Sequence, residues 1–283
     1  MTAPVADQPV PLAEAIDVEH FGAKAVHLGA AARAGLPVPR GIALPVAFVE
    51  NVIDGAPRAL AALYEIEERV GFPLAVRSSA IGEDSENASF AGQHLSVLNL
   101  TTTAGTIQAV RDVRESGHTD AARAYREKQG LMGPVRVAVV IQHLVDSEVA
   151  GVLFTRNPIS GADERVIEAA WGLGEAVVAG MITPDQFRLS RDGAILQRTA
   201  GEKDIAVRRT AEGTEERPVS PHLVAKLCLD DAMLAQLHDV ATRCEEVFGG
   251  GPDSAGLDLE WAFSDGKLWL LQCRAISTTT KSP

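Results

Sequence analysis

Apolar residues recur along this chain with two different periods, and the change from one to the other falls near residue 131. Before it, helical spacing dominates. Residues 23–35, "AKAVHLGAAARAG", repeat apolar side chains at three- and four-residue intervals, with Gly35 placed to cap a helix before "LPVP". "PRALAALYEIEERV", 57–70, has the same spacing behind Pro57, a residue suited to the first helical position because its missing N–H has no partner there. Further helices are predicted at about 103–115 and 119–129. "GIALP", "FPLAVRSS" and "HLSVLNLT" read as strands between them. From Val135 onward the texture is β-rich: "VRVAVVIQHLV", "AGVLFT", "RVIEAAWG" and "QFRLS" alternate with polar or glycine-containing turns. The stretch 199–219 is charged and poor in large apolar residues, which predicts exposed strands or a mobile connection. A helix over about 231–248 stops at "GGG", and "GLDLEWAFSDGKLWLLQCRAIS" closes the pattern as a hairpin. Residues 1–11, with three prolines and little to bury, read as a loose arm.

That last hairpin carries chemistry in its alternation. Leu257, Leu259, Trp261 and Phe263 alternate with Asp258, Glu260 and Ala262. A three-residue loop, Ser264-Asp265-Gly266, would pair Phe263 with Lys267 and set Trp261 beside Trp269 and Leu259 beside Leu271. Asp258, Glu260, Gln272 and Arg274 would then share the other face, with Asp258 opposite Gln272. A two-residue Asp-Gly turn would slip the register by one and, with no compensating bulge, point Glu260 and Gln272 apart. Two acids, an amide and an arginine on one face suit a hard, oxygen-binding cation beside a phosphate; the plainer alternative is a solvated outer face.

Composition narrows the choice of partners. At 283 residues the chain has room for one large or two ordinary domains of ~150 residues. With 46% hydrophobic and 23% charged residues it can bury a sizeable core. A formal net charge of −12 argues against broad binding to nucleic acid or membrane surfaces, though a few cations in one cleft can still hold a small anion. Cys228, Cys244 and Cys273 are odd in number and show no metal-ligand spacing. There is no signal-peptide pattern at the N-terminus and no apolar run of ~20 residues, so a cytoplasmic protein is expected.

Two further segments suggest phosphate chemistry. In "AVRSSAIGEDSENASFAGQ", 75–93, Arg77 leaves a strand just before a run of small hydroxyl residues whose backbone can approach an anion. Pairing of Arg77 with Glu83, Asp84 or Glu86 across a surface turn explains the same residues equally well. In "FGAKAVHLG", Lys24 follows a glycine near the start of a helix, as a phosphate clamp or as an ordinary solvated lysine. "WGLGEAVVAG" follows neither a Walker nor a GxGxxG pattern and reads as strand-to-helix punctuation.

Together, "GAKAVHLGAAARAGLPVPRG", "AVRSSAIGEDSENASFAGQ", "VVIQHLVDSEVAGVLFTRNP", "IEAAWGLGEAVVAGMITPDQF" and "DLEWAFSDGKLWLLQCRAIS" resemble the N-terminal nucleotide-binding domain of the phosphoenolpyruvate synthase and pyruvate phosphate dikinase family, shared by rifampicin phosphotransferase. The resemblance runs from about Phe21 to Ser277. It implies an α+β ATP-grasp fold with nucleotide held between two lobes, 12–130 and a β-rich 131–278, and a short tail, 279–283. It implies ATP and Mg2+ as cofactors. Lys24 and Arg77 match phosphate-binding cations; Gly92 and Ser96 match positions lining the phosphates, Ser96 standing where threonine is common. Gln142 matches an adenine-side contact, Glu260 and Gln272 match magnesium ligands, and Arg274 matches a cation at the transferring phosphates.

Two departures shape the expected function. The stretch between "GIALP" and "AVRSS" is shorter than the family's, so part of the first lobe is absent. None of the seven histidines lies in a sequence like the family's Gly-Gly-x-Thr-x-His. The expectation is therefore the ATP-binding component of a split dikinase, passing pyrophosphoryl to a histidine on a separate phosphohistidine-domain protein that also works with an acceptor-substrate domain. A stand-alone ligase that forms an acyl phosphate and ADP, or a non-catalytic ATP sensor, are the alternatives.

Overall fold

The computed structural model describes residues 7–82, 95–120, 135–249 and 254–276. The chain divides into two compact units. One comprises Met1–Arg33, Pro39–Leu144 and Ala211–Gly213; the other comprises Ala34–Val38, Val145–Thr210 and Thr214–Pro283. Helices and antiparallel sheets alternate in both, an α+β chain as expected.

In the first unit, β1 (Val10–Pro11), β2 (Gly41–Leu44), β3 (Leu74–Ala80), β4 (Ser96–Leu100) and β5 (Val137–His143) form a five-stranded sheet in the order β1-β2-β5-β3-β4. The end of the proline-rich arm is thus a strand: Val10 pairs with Ala43 and is buried, which removes it from the loose segment read in the sequence. β5, which a division at 131 places in the second lobe, pairs with both β2 and β3, so the exchange between units falls after Leu144. α1 (Val18–Arg33) precedes β2, and α2 (Val46–Ile53), α3 (Pro57–Val70) and α4 (Thr103–Ser116) follow. Alternation on the central strands sorts their side chains. Leu74, Val76 and Ala80 of β3 and Val137, Val139 and Ile141 of β5 join Phe48, Val52, Leu63, Ile66, Val110 and Val113 of α2–α4 in one apolar core. α3 and α4 fall where the spacing predicts them; α2 went unread, its eight residues being too few for a distinct helical period. The helix expected at 119–129 lies almost wholly outside the described residues.

In the second unit, β6 (Val149–Phe154), β7 (Glu164–Trp171), β8 (Asp185–Ser190), β9 (Ile195–Thr199), β12 (Leu257–Ser264) and β13 (Lys267–Ala275) form a six-stranded sheet in the order β13-β12-β6-β7-β8-β9. The charged stretch after 199 folds as a separate hairpin of β10 (Ile205–Arg209) and β11 (Thr214–Pro218). Two helices of four residues, α5 (Glu175–Val178) and α6 (Pro221–Val224), precede α7 (Asp231–Phe248). α7 is capped by the Asp230 carboxylate, which accepts from Met233 N–H at 2.8 Å, and it ends at Gly249 in the left-handed region. A buried arginine fixes α7 to the sheet: Arg165 of β7, 1% exposed, donates to Thr242 Oγ1 at 2.7 Å and Glu245 Oε2 at 3.2 Å, and contacts His238 Nδ1 and carbonyl. Lys203 and Asp185, both fully buried, form a second internal pair, and Asp185 also accepts from Gly201 and Cys228 N–H. No helix among the described residues is long and apolar enough to cross a membrane.

Candidate functional site

The first unit places four sequence-predicted residues on or against one sheet face. With one set of β3 and β5 side chains in the core, Ala75, Arg77 and Ser79 of β3 and Ala138, Val140 and Gln142 of β5 occupy the opposite face. Register extends the face: Arg77 pairs with Ser96 of β4 on one side and Val140 on the other, and Ala75 pairs with Gln142. α1 lies against this face. It is broken at Gly22, whose φ of 74° and ψ of 162° are not helical. A Cβ at Gly22 would stand 2.0 Å from the Ser79 carbonyl oxygen, so only glycine allows the helix to start so close to β3. Two turns of contact then lock it, the second being Ala25 N–H donating to Ser79 Oγ at 3.1 Å.

Lys24 sits between those two contacts. It is 7% exposed, and among the described residues no ion pair or hydrogen bond reaches its ammonium. Gln142 is 3% exposed, and its Nε2 donates to the Pro39 carbonyl at 3.3 Å. Its room comes from Gly41 opposite, where a Cβ would approach Gln142 Cγ to 2.7 Å. Gly92, and the acids at 83, 84 and 86 offered as rival partners of Arg77, lie outside the described residues.

In the second unit the hairpin corrects the expected register and reaches the expected alignment by another route. Ser264 pairs with Lys267, so the loop is the two residues Asp265 and Gly266, with φ of 51° and 69°. Both central residues at positive φ make a type I′ turn, which matches the right-handed strand twist better than the three-residue loop does. The strands then run Phe263 to Leu268, Ala262 to Trp269 and Trp261 to Leu270. Trp261 is therefore not beside Trp269, nor Leu259 beside Leu271. Leu268 and Leu270 are buried instead, while Trp269 and Leu271 pack on the other face near Val145, Ala150 and Ala262. A bulge at Leu271 absorbs one residue of β13, and from there Glu260 opposes Gln272, Leu259 opposes Cys273 and Asp258 opposes Arg274. Glu260 and Gln272 consequently share a face as directly opposed neighbours.

Asp258, one of the two acids the sequence groups with a cation site, is the partner of Arg274. The Arg274 Nε and Nη2 donate to Asp258 Oδ2 at 2.9 and 2.7 Å, and the two side chains are 17% and 12% exposed. Glu168 also belongs to this face: Glu260 pairs with Val152, Val152 with Glu168, and Glu168 with Gln186 across successive strands. A lone charge inside the apolar run "RVIEAAW" was the available signal for it. On the reverse face, Cys273 is 2% exposed, and its hydrogen bond with Cys244 of α7, followed by burial, raises its thiol well above the usual range. "WGLGEAVVAG" is punctuation, as read: β7 ends at Trp171 and the short α5 starts at Glu175, whose carboxyl burial shifts upward.

Glu260 and Gln272 are oxygen donors of the kind magnesium takes, and two protein ligands suffice for an ion that keeps water and phosphate oxygens in its remaining positions. No cluster of three or more histidine, cysteine or acidic residues able to hold a metal occurs among the described residues.

Residues 47–283 match the family described as pyruvate phosphate dikinase, AMP/ATP-binding domain. An uncharacterized phosphotransferase, YvkC, of Bacillus subtilis is 32% identical over 91% of this chain and 33% of its own length. A probable phosphoenolpyruvate synthase of Methanothermobacter thermautotrophicus is 40% identical over 72% of this chain and 30% of its own. The prodigiosin synthesizing transferase PigC of Serratia marcescens is 31% identical over 94% of this chain and 32% of its own. The chain therefore spans about a third of the length of these curated relatives. Among solved structures, a D-alanine–D-alanine ligase of Bacillus anthracis aligns with 96% of this chain and 61% of its own at 10% identity and a TM-score of 0.44.

Proposed function

The chain belongs to the pyruvate phosphate dikinase AMP/ATP-binding domain family, and on that premise we propose that it is the ATP-binding, phosphoryl-donating part of a dikinase. The observation that carries this reading is the bulged hairpin, which opposes Glu260 to Gln272 and keeps Arg274 beside Asp258 on the same face. Lys24 and Arg77 neutralise phosphate oxygens of ATP, and Ser96 and Gly92 line them. Gln142 contributes on the adenine side. Glu260 and Gln272 would hold magnesium, which when bound supplies charge neutralisation between phosphates. Arg274 is aimed by Asp258, so its guanidinium is fixed before charge develops on the transferring group.

In the proposed reaction a histidine nitrogen attacks the β-phosphorus of ATP. The bond from that phosphorus to the α–β bridging oxygen breaks, the electron pair leaves with AMP, and pyrophosphoryl remains on the histidine. That histidine is supplied by a separate phosphohistidine domain, which then serves an acceptor-substrate domain. No side chain of this chain acts as a covalent nucleophile. The test is product analysis with Mg-ATP, with and without a histidine domain taken from a phosphoenolpyruvate synthase. AMP formation that depends on the added domain is expected, with no stable phosphohistidine on this chain. Substrate-dependent ADP production by the chain alone would overturn the reading and favour an acyl-phosphate ligase.

A further inference from the structure

The second unit carries a cavity that none of the residues proposed for the ATP site line. Its volume is about 340 Å³, within the range of small-molecule sites, and its walls come from the end of β7, the β10–β11 hairpin, α6 and Asp146. Glycine makes it possible. Gly172, at φ 87°, would place a Cβ 2.4 Å from the Val207 carbonyl oxygen, and Leu173 N–H donates to that same oxygen at 2.9 Å. The hairpin is thereby held tightly against the end of β7.

Charge makes the cavity unusual. Arg208, Arg209 and Arg217 all line it, against the single acid Asp146, in a chain of net charge −12. Asp146 accounts for Arg209, at 3.0 Å. Arg217 pairs with Glu215, but those side chains are 58% and 46% exposed, a class of ion pair that water renders nearly worthless. Arg208 stands opposite Glu215 across the hairpin, and the hydrogen bond it makes among the described residues is a long one, 3.4 Å, from Nη1 to the neutral Ser147 carbonyl. Guanidinium does not deprotonate, so among the described residues the wall keeps two cations whose shared acidic neighbour, Glu215, is itself exposed to water. Beside them stand the Ser220 hydroxyl, 2.9 Å from His222 Nδ1, and the Trp171 ring, whose N–H is already committed to the Leu223 carbonyl at 3.1 Å.

We propose that this cavity binds a small planar phosphomonoester. Arg208 and Arg217 fork its phosphate oxygens, Ser220 adds a hydrogen bond, and the planar body lies on the indole of Trp171. This goes beyond the ATP site, and its ligand is separable from ATP. Calorimetry and tryptophan fluorescence with phenyl phosphate and with inorganic phosphate, both on an Arg77→Ala background, test it. Saturable binding of phenyl phosphate is expected, tighter than that of inorganic phosphate. The double variant Arg208→Ala/Arg217→Ala, checked for an unchanged urea midpoint, should weaken it about tenfold or more. Trp171→Phe should abolish the fluorescence change. No saturable binding, or equal affinity in the double variant, overturns the site; equal affinity for the two probes overturns the assignment of a planar monoester.

Discussion

Lys24 in the first unit and Arg274 in the second are both cations of the proposed phosphate chemistry, yet they are held in opposite ways. Lys24 is positioned by backbone: a glycine break in α1, the Ala25 N–H donated to the Ser79 hydroxyl of β3, and no counter-charge among the described residues. Arg274 is positioned by a carboxylate, Asp258, through two donors on a half-enclosed face. A steric seat leaves the charge available and costs the fold something. An ion-paired seat makes the cation part of the fold, so removing it strands a partner.

The largest test is functional. Lys24→Met should lower AMP formation by about 100- to 1000-fold, the scale for one preorganised donor, while the melting temperature stays level because no ion pair or hydrogen bond among the described residues is lost. A clear loss of stability would show that Lys24 has a structural partner and would end the contrast. Arg274→Met is the mirror experiment. It should cost about 3 kcal/mol in urea denaturation, since it leaves the Asp258 carboxylate enclosed without its partner. Asp258→Asn should lower activity at unchanged ATP affinity, because it loosens Arg274 rather than removing it.

Acid sharpens the contrast further. Burial, then the adjacent Arg165 guanidinium, depress His238 below its ordinary value of 6.5, opposed by Asp239, Asp192 and Glu245. The unfolded chain therefore binds this proton more readily, so stability is complete above 6.5 and is lost as pH falls through the lower folded value. Urea midpoints measured downward from neutrality should fall, and His238→Gln should flatten that slope. An unchanged slope would remove His238 as the cause. The smallest effect is at the turn: Gly266→Ala, with φ 69° and nothing near its missing Cβ, should cost about 1 kcal/mol and leave AMP formation intact.

Much of this was legible in the sequence, for identifiable reasons. α3, α4 and α7 carry long helical periods behind a proline, a threonine cap and an acidic cap respectively, and they fall within a residue of where those signals put them. Family motifs single out Arg77, Ser96 and Gln142 one by one, but the sheet face they share depends on register, which no local pattern states. The register of the last hairpin was misjudged because the hydrophobic pairs of a three-residue loop looked better than those of a two-residue turn. Leu271, which breaks the alternation, was counted as a regular strand residue when it is the bulge. Asp258 was placed on the correct face and its bond to Arg274 overlooked, since charge pairing across strands requires the true register.

The bulge at Leu271 makes the hairpin work like a parity check. What matters for the two oxygen donors is how the residues between Glu260 and Gln272 divide between turn, paired strand and bulge: around a two-residue turn one residue is left over, and the bulge at Leu271 takes it. The turn and the bulge are interchangeable places to keep the count. A variant with one residue inserted between Asp265 and Gly266 and Leu271 deleted should keep Glu260 facing Gln272 and remain active. Deleting Leu271 alone should remove the bulge and still set Glu260 opposite Gln272 around the two-residue turn. The tip of this hairpin can therefore change its turn type while the two donors stay in phase, provided that the strand pairing between turn and bulge is kept.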